Sequence, residues 1–179
     1  MSLLEDIVNE ANSKGLRFLV IGGHAVNAHG YSRLTKDLDL LIRRLDRAQW
    51  EALLGTRGFS FFREEETFLQ FKQPPPFPWP LDLMLVNDST FEKMWAASSE
   101  CFWAGAQARF PSLDDLFALK FHVLRYGNEG RGFKDFMDVL SLAEENGVDV
   151  CSDKFRGLCE RYGTVQIYER ILAFKSGTP

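Results

Sequence analysis

Three carboxylates stand where two short apolar runs can carry them. Asp37 and Asp39 flank Leu38, and Asp82 lies between Leu81 and Leu83. Leu38, Leu40 and Ile42 alternate with Asp37, Asp39 and Leu41, so a strand here sends both aspartates to one face. Leu81, Leu83 and Leu85 alternate in the same way with Asp82, Met84 and Val86. If the two strands are neighbours, three carboxylates meet at one spot, which is costly unless a cation compensates their charge. Hard oxygen donors of this kind suit Mg2+ or Mn2+, and ions so held activate an attacking oxygen and steady a leaving phosphate. Asp37 and Asp39 are the expected metal ligands; Asp82 is a further ligand or a general base for an acceptor hydroxyl. Ahead of them, Gly22 and Gly23 end an apolar run and open a helical segment, where small residues let a phosphate approach backbone N–H groups. An isolated Asp-x-Asp is commonly a turn cap and an isolated Gly-Gly an ordinary turn. Their order and spacing, with a third strand aspartate, point instead to phosphoryl chemistry.

These side chains need a scaffold, and the apolar periodicity supplies one. Leu3, Leu4, Ile7, Val8 and Ala11 recur at helical spacing, and residues 16 to 21 read as a buried strand broken by the glycine pair. A short helix follows to Gly30, then the aspartate strand at 37 to 42. Asp46 reads as the N-cap of a helix through Trp50, Leu53 and Leu54. Residues 59 to 63 and 67 to 72 read as a hairpin with Glu64, Glu65 and Glu66 at its tip. The proline-rich stretch 74 to 80 reads as a stiff loop feeding the Asp82 strand. A helix at 88 to 97 and a strand pair around 101 to 110 follow. From Ser112 onward the pattern is helical, with segments at 112–126, 133–146, 152–162 and 164–174 and a glycine-rich break from Gly127 to Gly132. The expected fold class is α/β (α+β): a small mixed sheet in residues 1–110, and a helical C-terminal region, 111–179, packed on that core.

Composition narrows the function classes. With 179 residues, 45% hydrophobic and 26% charged, the chain can build a core of ordinary globular type. A net charge of −4 argues against a broadly basic nucleic-acid-coating surface, although local basic clusters exist. The odd count of three cysteines, without metal-type spacing, fits a reducing cytoplasm. No apolar run approaches membrane-spanning length, so no membrane role is expected.

The stretch Gly22, Gly23, His24, Ala25 through Arg33, Leu34, Thr35, Lys36, Asp37, Leu38, Asp39, Leu40, Leu41, Ile42, with Asp82 as the later strand carboxylate, resembles the signature of the nucleotidyltransferase (DNA polymerase β-like) superfamily. Its Arg-x-Thr-x-Asp-x-Asp arrangement most resembles AbiEii/AbiGii-type toxins and the small antibiotic nucleotidyltransferases. Ser112 to Lys120, then Arg125, Lys134, Asp135 and Asp138, are similar to the helical motif that follows the metal strands in AbiEii-type proteins. The resemblance spans residues 16 to 146. It implies a nucleotidyltransferase fold and Mg2+-dependent transfer of a nucleoside monophosphate from an NTP, ATP among the candidates, to an acceptor hydroxyl. The implied settings are a toxin acting on RNA such as tRNA with a cognate antitoxin, or a small-molecule adenylyltransferase of aminoglycoside or lincosamide type. A non-catalytic nucleotide- or partner-binding protein on the same fold is the alternative of another class. One departure is Gly23, where many relatives carry a phosphate-contacting serine.

Several further residues carry two readings each. Lys120 falls on the apolar stripe of its helix with Leu116, Phe117, Val123 and Leu124, so it either snorkels or meets an anion, a nucleotide phosphate or a site aspartate. Arg33, Thr35 and Lys36 either meet phosphates or form a solvated loop. Arg125, Arg131 and Lys134 either grip a triphosphate or form a charged turn. Asp135 and Asp138 either face the site, Asp135 as a supporting residue, or, for Asp138, form a surface helix pair with Lys134. Phe77 and Trp79 either stack on a base or pack the proline loop.

Overall fold

The computed structural model describes residues 3–76, 80–127 and 129–177, with 129–131 described by backbone alone. Phe77, Trp79 and the Arg131 side chain therefore lie outside the described residues. The chain divides into two compact units, Met1–Ala25 with Leu34–Ser112, and Val26–Arg33 with Leu113–Pro179.

The first unit is built on a five-stranded mixed sheet in the order β1-β2-β5-β4-β3, from β1 (Leu19–Val20), β2 (Leu38–Arg43), β3 (Ser60–Glu65), β4 (Phe68–Lys72) and β5 (Pro80–Val86). Only β2 and β5 run parallel; the other pairs are antiparallel. The parallel pair needs a crossover, and α3 (Arg47–Thr56) with the β3–β4 hairpin supplies it. Helices α1 (Leu3–Ser13) and α4 (Asp88–Ala97) and a two-stranded sheet of β6 (Ser99–Trp103) and β7 (Ala106–Phe110) complete the unit. Its core gathers Ile7, Val8, Leu40, Ile42, Trp50, Leu53, Leu83 and Phe91, all 1% exposed or less. Full burial of one such side chain contributes about 1.5–3 kcal/mol. Phe18 meets the Trp50 ring edge-on at 5.5 Å, the geometry favoured by the ring quadrupoles.

Two local expectations give way to stronger contacts. The strand expected over 16 to 21 is reduced to Leu19 and Val20, with one further bond from the Ile21 N–H to the Asp39 carbonyl at 2.9 Å, before Gly22 takes φ +62° and turns the chain into α2 (Gly22–Ala28). Asp46 precedes α3 but makes no side-chain capping bond; its carboxylate instead takes both arms of the Arg43 guanidinium, at 2.7 and 2.8 Å. A bidentate, charge-assisted pair outcompetes a single N–H cap.

The second unit contains the end of α2 with α5 (Leu113–Tyr126), α6 (Glu129–Glu145), α7 (Asp153–Tyr162) and α8 (Val165–Ser176). Phe117 and Phe121 lie one turn apart on α5, and Phe155 of α7 meets both edge-on, at 5.4 and 5.6 Å. The expected glycine break from 127 to 132 is shorter than anticipated, since α6 begins at Glu129 and runs through Gly130 and Gly132. Glycine lowers helix propensity, but packing of the amphipathic stretch beyond Phe133 overrides it.

Candidate active site

The parallel register of β2 and β5 places Asp39 directly opposite Asp82. Neighbouring strands lie about 4.8 Å apart and register partners share a face, so the two carboxylates stand side by side. Asp82 is 1% exposed, and Asp39 is half-buried. The row continues into β4, where Gln70 is the register partner of Asp82 and donates from Nε2 to Asp82 Oδ1 at 3.0 Å. It ends on β3 at Arg63, the partner of Gln70. A polar row, Asp39–Asp82–Gln70–Arg63, thus crosses four strands of a sheet whose other face is formed by Leu40, Leu69, Leu83 and their neighbours. The odd-even alternation of the sequence accounts for the sorting.

Gly22 completes this part of the site. A Cβ built on it would fall 1.9 Å from Asp39 Oδ2 and 2.6 Å from Cγ. The glycine therefore admits the Asp39 carboxylate against the start of α2. Gly23 follows within the same helix, and His24 sets its ring edge-on to Trp103 at 5.0 Å. Asp37 stands just before β2 and is half-buried. Among the described residues no three Asp, Glu, His or Cys side chains are drawn together at metal-holding spacing. The ladder register brings together two members of the expected trio, while Asp37 precedes the paired residues.

Lys120, in the second unit, meets anions of the protein itself. Its Nζ donates to Asp135 Oδ1 at 2.5 Å and to Asp138 Oδ2 at 2.6 Å. Arg33 adds a fork, Nε to Asp138 Oδ1 at 2.6 Å and Nη2 to Oδ2 at 2.8 Å. Asn27 fixes the Arg33 backbone, accepting from its N–H and donating to its carbonyl, both at 3.0 Å. Two cations and two carboxylates form this cluster, in which Lys120, Asp135 and Asp138 are all under 9% exposed. Burial works to raise the Asp138 pKa, but the Arg33 hydrogen bonds and the Lys120 charge outweigh it and hold the carboxyl below its ordinary value. Of the two readings of Asp138, the surface pair with Lys134 does not hold: Asp138 is 1% exposed and faces Arg33 and Lys120.

The remaining candidates are dispersed. Thr35 is half-buried and Lys36 exposed in the approach to β2. Arg125 donates to the Gly163 carbonyl at 3.3 Å and lies over the Tyr126 ring, and Lys134 is exposed on α6. Sequence reasoning missed Gln70, although its place in the alternation of Phe68–Lys72 puts it on the polar face. It also missed the Arg33–Asp138 pair, which joins residues 105 positions apart and leaves no local signal.

Oxygen-only donors, side by side and kept clear by a glycine, fit a hard divalent cation. No helix among the described residues is long and apolar enough to cross a membrane.

No family model matches the sequence, and no curated protein does. Solved structures do. The solution structure of the antibiotic-resistance factor ANT(2'')-Ia is similar over 98% of this chain and 94% of its own, with TM-score 0.64 at 17% identity. The lincomycin-bound lincosamide antibiotic adenylyltransferase LnuA matches 78% of this chain and 96% of its own, with TM-score 0.56 at 16% identity. A protein from Thermotoga maritima described as a nucleotidyltransferase matches 79% and 91%, with TM-score 0.53 at 14% identity. The chain has the mixed α/β fold of these nucleotidyltransferases.

Proposed function

We propose that this chain is a nucleotidyltransferase that moves a nucleoside monophosphate from an NTP to an acceptor hydroxyl and releases pyrophosphate. The observation that carries the proposal is the Asp39–Asp82 register pair with the Gly22 backbone against it. Asp37, Asp39 and Asp82 would hold Mg2+, which when bound supplies charge neutralisation and activation of oxygen at the transferring phosphorus. Asp82 is held in orientation by Gln70, so its carboxylate can accept the acceptor's proton without searching rotamers. Gly22 and Gly23 keep the approach to Asp39 free of side chains, which suits a phosphate's entry. Lys120 and Arg33, named above as candidates for the nucleotide, are held within their own unit by Asp138 and, for Lys120, Asp135.

The acceptor follows from two different supports. The Arg33–Asp39 motif resembles that of AbiEii-type toxins, which supports an RNA acceptor and a cognate antitoxin. The second reading, a small-molecule acceptor, draws support from ANT(2'')-Ia, whose crystal structure is in complex with adenylyl-2''-tobramycin, and from lincomycin-bound LnuA. Incubation with each labelled NTP, Mg2+, total tRNA and a panel of aminoglycosides and lincosamides separates them. Label on tRNA supports the first reading and label on an antibiotic the second. No label on any acceptor, together with no Mg2+–NTP binding by calorimetry, defeats the enzyme proposal.

A further inference from the structure

The polar row does not end at Asp82, and what lies beyond it has chemistry of its own. The β3–β4 pairing slips between Phe61 and Arg63, so Phe62 is an extra residue on its strand. Such bulges re-aim a side chain, and they concentrate at sheet edges and beside active sites. Here Phe61 turns edge-on to Phe71, at 5.9 Å, toward the apolar face. Phe62 instead carries the Lys72 ammonium over its ring, 3.9 Å from the centroid. Lys72 is two residues from Gln70 on β4 and so shares the face of Asp82. Phe62 is 52% exposed, and Phe68 and Met84, register partners on the same face, are half-buried. Arg63 and Glu65 pair with each other at 2.5 Å at the outer end of this surface, which leaves their charges balanced.

We infer that Phe62 and Lys72 form the acceptor-side subsite, and that it takes an aromatic ring bearing an adjacent anionic group, as in a nucleotide. The inference rests on the nucleotidyl-transfer reading. Transfer needs the attacking and leaving oxygens in line across the phosphorus. Gly22, at the β1–β2 edge, admits phosphate on one side of the carboxylate pair, so the acceptor approaches across Asp82 from β4 and β3. There it meets a flat exposed ring and a cation. The Lys72–Phe62 contact is weak at an exposed site, so an anionic group can draw the ammonium off the ring while the ligand's own ring takes its place, stacking as bases do on aromatic side chains. A polycationic acceptor would be repelled by Lys72. Free mononucleotide and the terminal residue of a nucleic-acid strand share this chemistry.

The test is a backbone-amide NMR titration of the full chain, with Mg2+ and a non-hydrolysable ATP analogue saturating, using cytidine 5'-monophosphate, cytidine, a short oligoribonucleotide and tobramycin. The expected result is shift changes at Phe62 and Lys72 with the monophosphate, at least fivefold weaker binding in Phe62→Ala and Lys72→Gln, and retention in Phe62→Tyr. Cytidine alone should bind more weakly. Tighter binding of the oligoribonucleotide than of the mononucleotide identifies a strand end as the source, and equal binding identifies the free nucleotide. Tobramycin shifting these amides, or monophosphate binding unchanged in Phe62→Ala, overturns the subsite. So does loss of ATP-analogue affinity in Phe62→Ala, which would place the ring at the donor. Absence of Mg2+–ATP-analogue binding in the unsubstituted protein is a separate, distinguishable result: it defeats the transfer reading and with it the acceptor assignment of Phe62 and Lys72. Thermal melts of each variant verify folding, which the exposure of Phe62 and Lys72 leaves intact.

Discussion

Gly22 and Asp39 are so close that the glycine has no room for a methyl group: its Cβ would fall 1.9 Å from Asp39 Oδ2. Two penalties therefore coincide in Gly22→Ala. The backbone there holds φ +62°, a conformation that costs an L-residue about 1–2 kcal/mol, and the Asp39 carboxylate must move. Urea denaturation should show a loss of at least about 1 kcal/mol. Transfer activity should fall by more than the folded fraction does, because the displaced group is a proposed metal ligand. Gly55→Ala, within α3 where a Cβ meets nothing within 4 Å, is the control and should be neutral to stabilising, by up to about 1 kcal/mol.

Asp39 and Asp82 repel each other across the β2–β5 ladder, since like charges directly opposite destabilise a sheet. Asp39→Asn removes the repulsion while keeping shape. In metal-free buffer this variant should be as stable as the parent or more so, by up to about 1 kcal/mol. Added Mg2+ should raise the parent's melting temperature through preferential binding to the folded state, and should leave the variant unmoved. A parent melting temperature indifferent to Mg2+ would contradict the proposed metal role of the pair.

How far this site can be read from sequence depends on the range of each contact. The alternation around Asp39 and Asp82 is local, so the order of residues alone assigns both to polar strand faces. That β2 and β5 are neighbours, with Asp39 opposite Asp82 and not one residue off, is a property of the sheet order. Periodicity does not encode that order. Gln70 stood in plain view on an alternating strand, yet its partner is chosen by the β4–β5 register. Lys120 on an apolar stripe announced an anionic partner. That Asp135 and Asp138 are within its reach came from the packing of α5 on α6. Asp46 misled because its type fits an N-cap, and the nearby Arg43 fork was the stronger competitor.

The buried cluster of Lys120, Asp135, Asp138 and Arg33 leads to predictions about stability. Lys120→Met leaves two carboxylates with half their cationic partners, and breaking one side of a buried pair typically costs about 3–5 kcal/mol. The loss should appear in stability even when no nucleotide is present. A double-mutant cycle of Arg33→Ala with Asp138→Asn should show strong coupling, because their bonds are bidentate and buried. The pH dependence has a definite sign. Asp138 is depressed in the folded state, so its contribution is fully present above the ordinary Asp pKa of about 3.9 and is lost as pH falls through the folded value. Urea midpoints between pH 6 and 3 should fall more steeply for the parent than for Asp138→Asn. Equal slopes would remove Asp138 as the source.

Cys159 gives the opposite sign at the alkaline end. Burial pushes its thiol up to about 12, while Cys101 and Cys151 are exposed. An unfolded cysteine ionises near 8.5, so above that pH the unfolded chain sheds a proton that the folded one keeps, and stability falls by up to about 1.4 kcal/mol per pH unit. Tyr168, also raised by burial, has the same sign but begins to act only near its ordinary value of 10.0. Cys101 is raised by burial as well, so measurements between pH 8 and 9.5 exclude Tyr168 but isolate the Cys159 thiol only in a Cys101→Ser background, which serves as the parent here. The parent should lose stability across that window, and Cys159→Ala, although less stable at pH 8, should lose less. Thiol titration of the folded, unsubstituted protein should count two reactive groups, and a third only on addition of denaturant. Rapid modification of all three in the folded protein would contradict the burial of Cys159 behind α5 and α8.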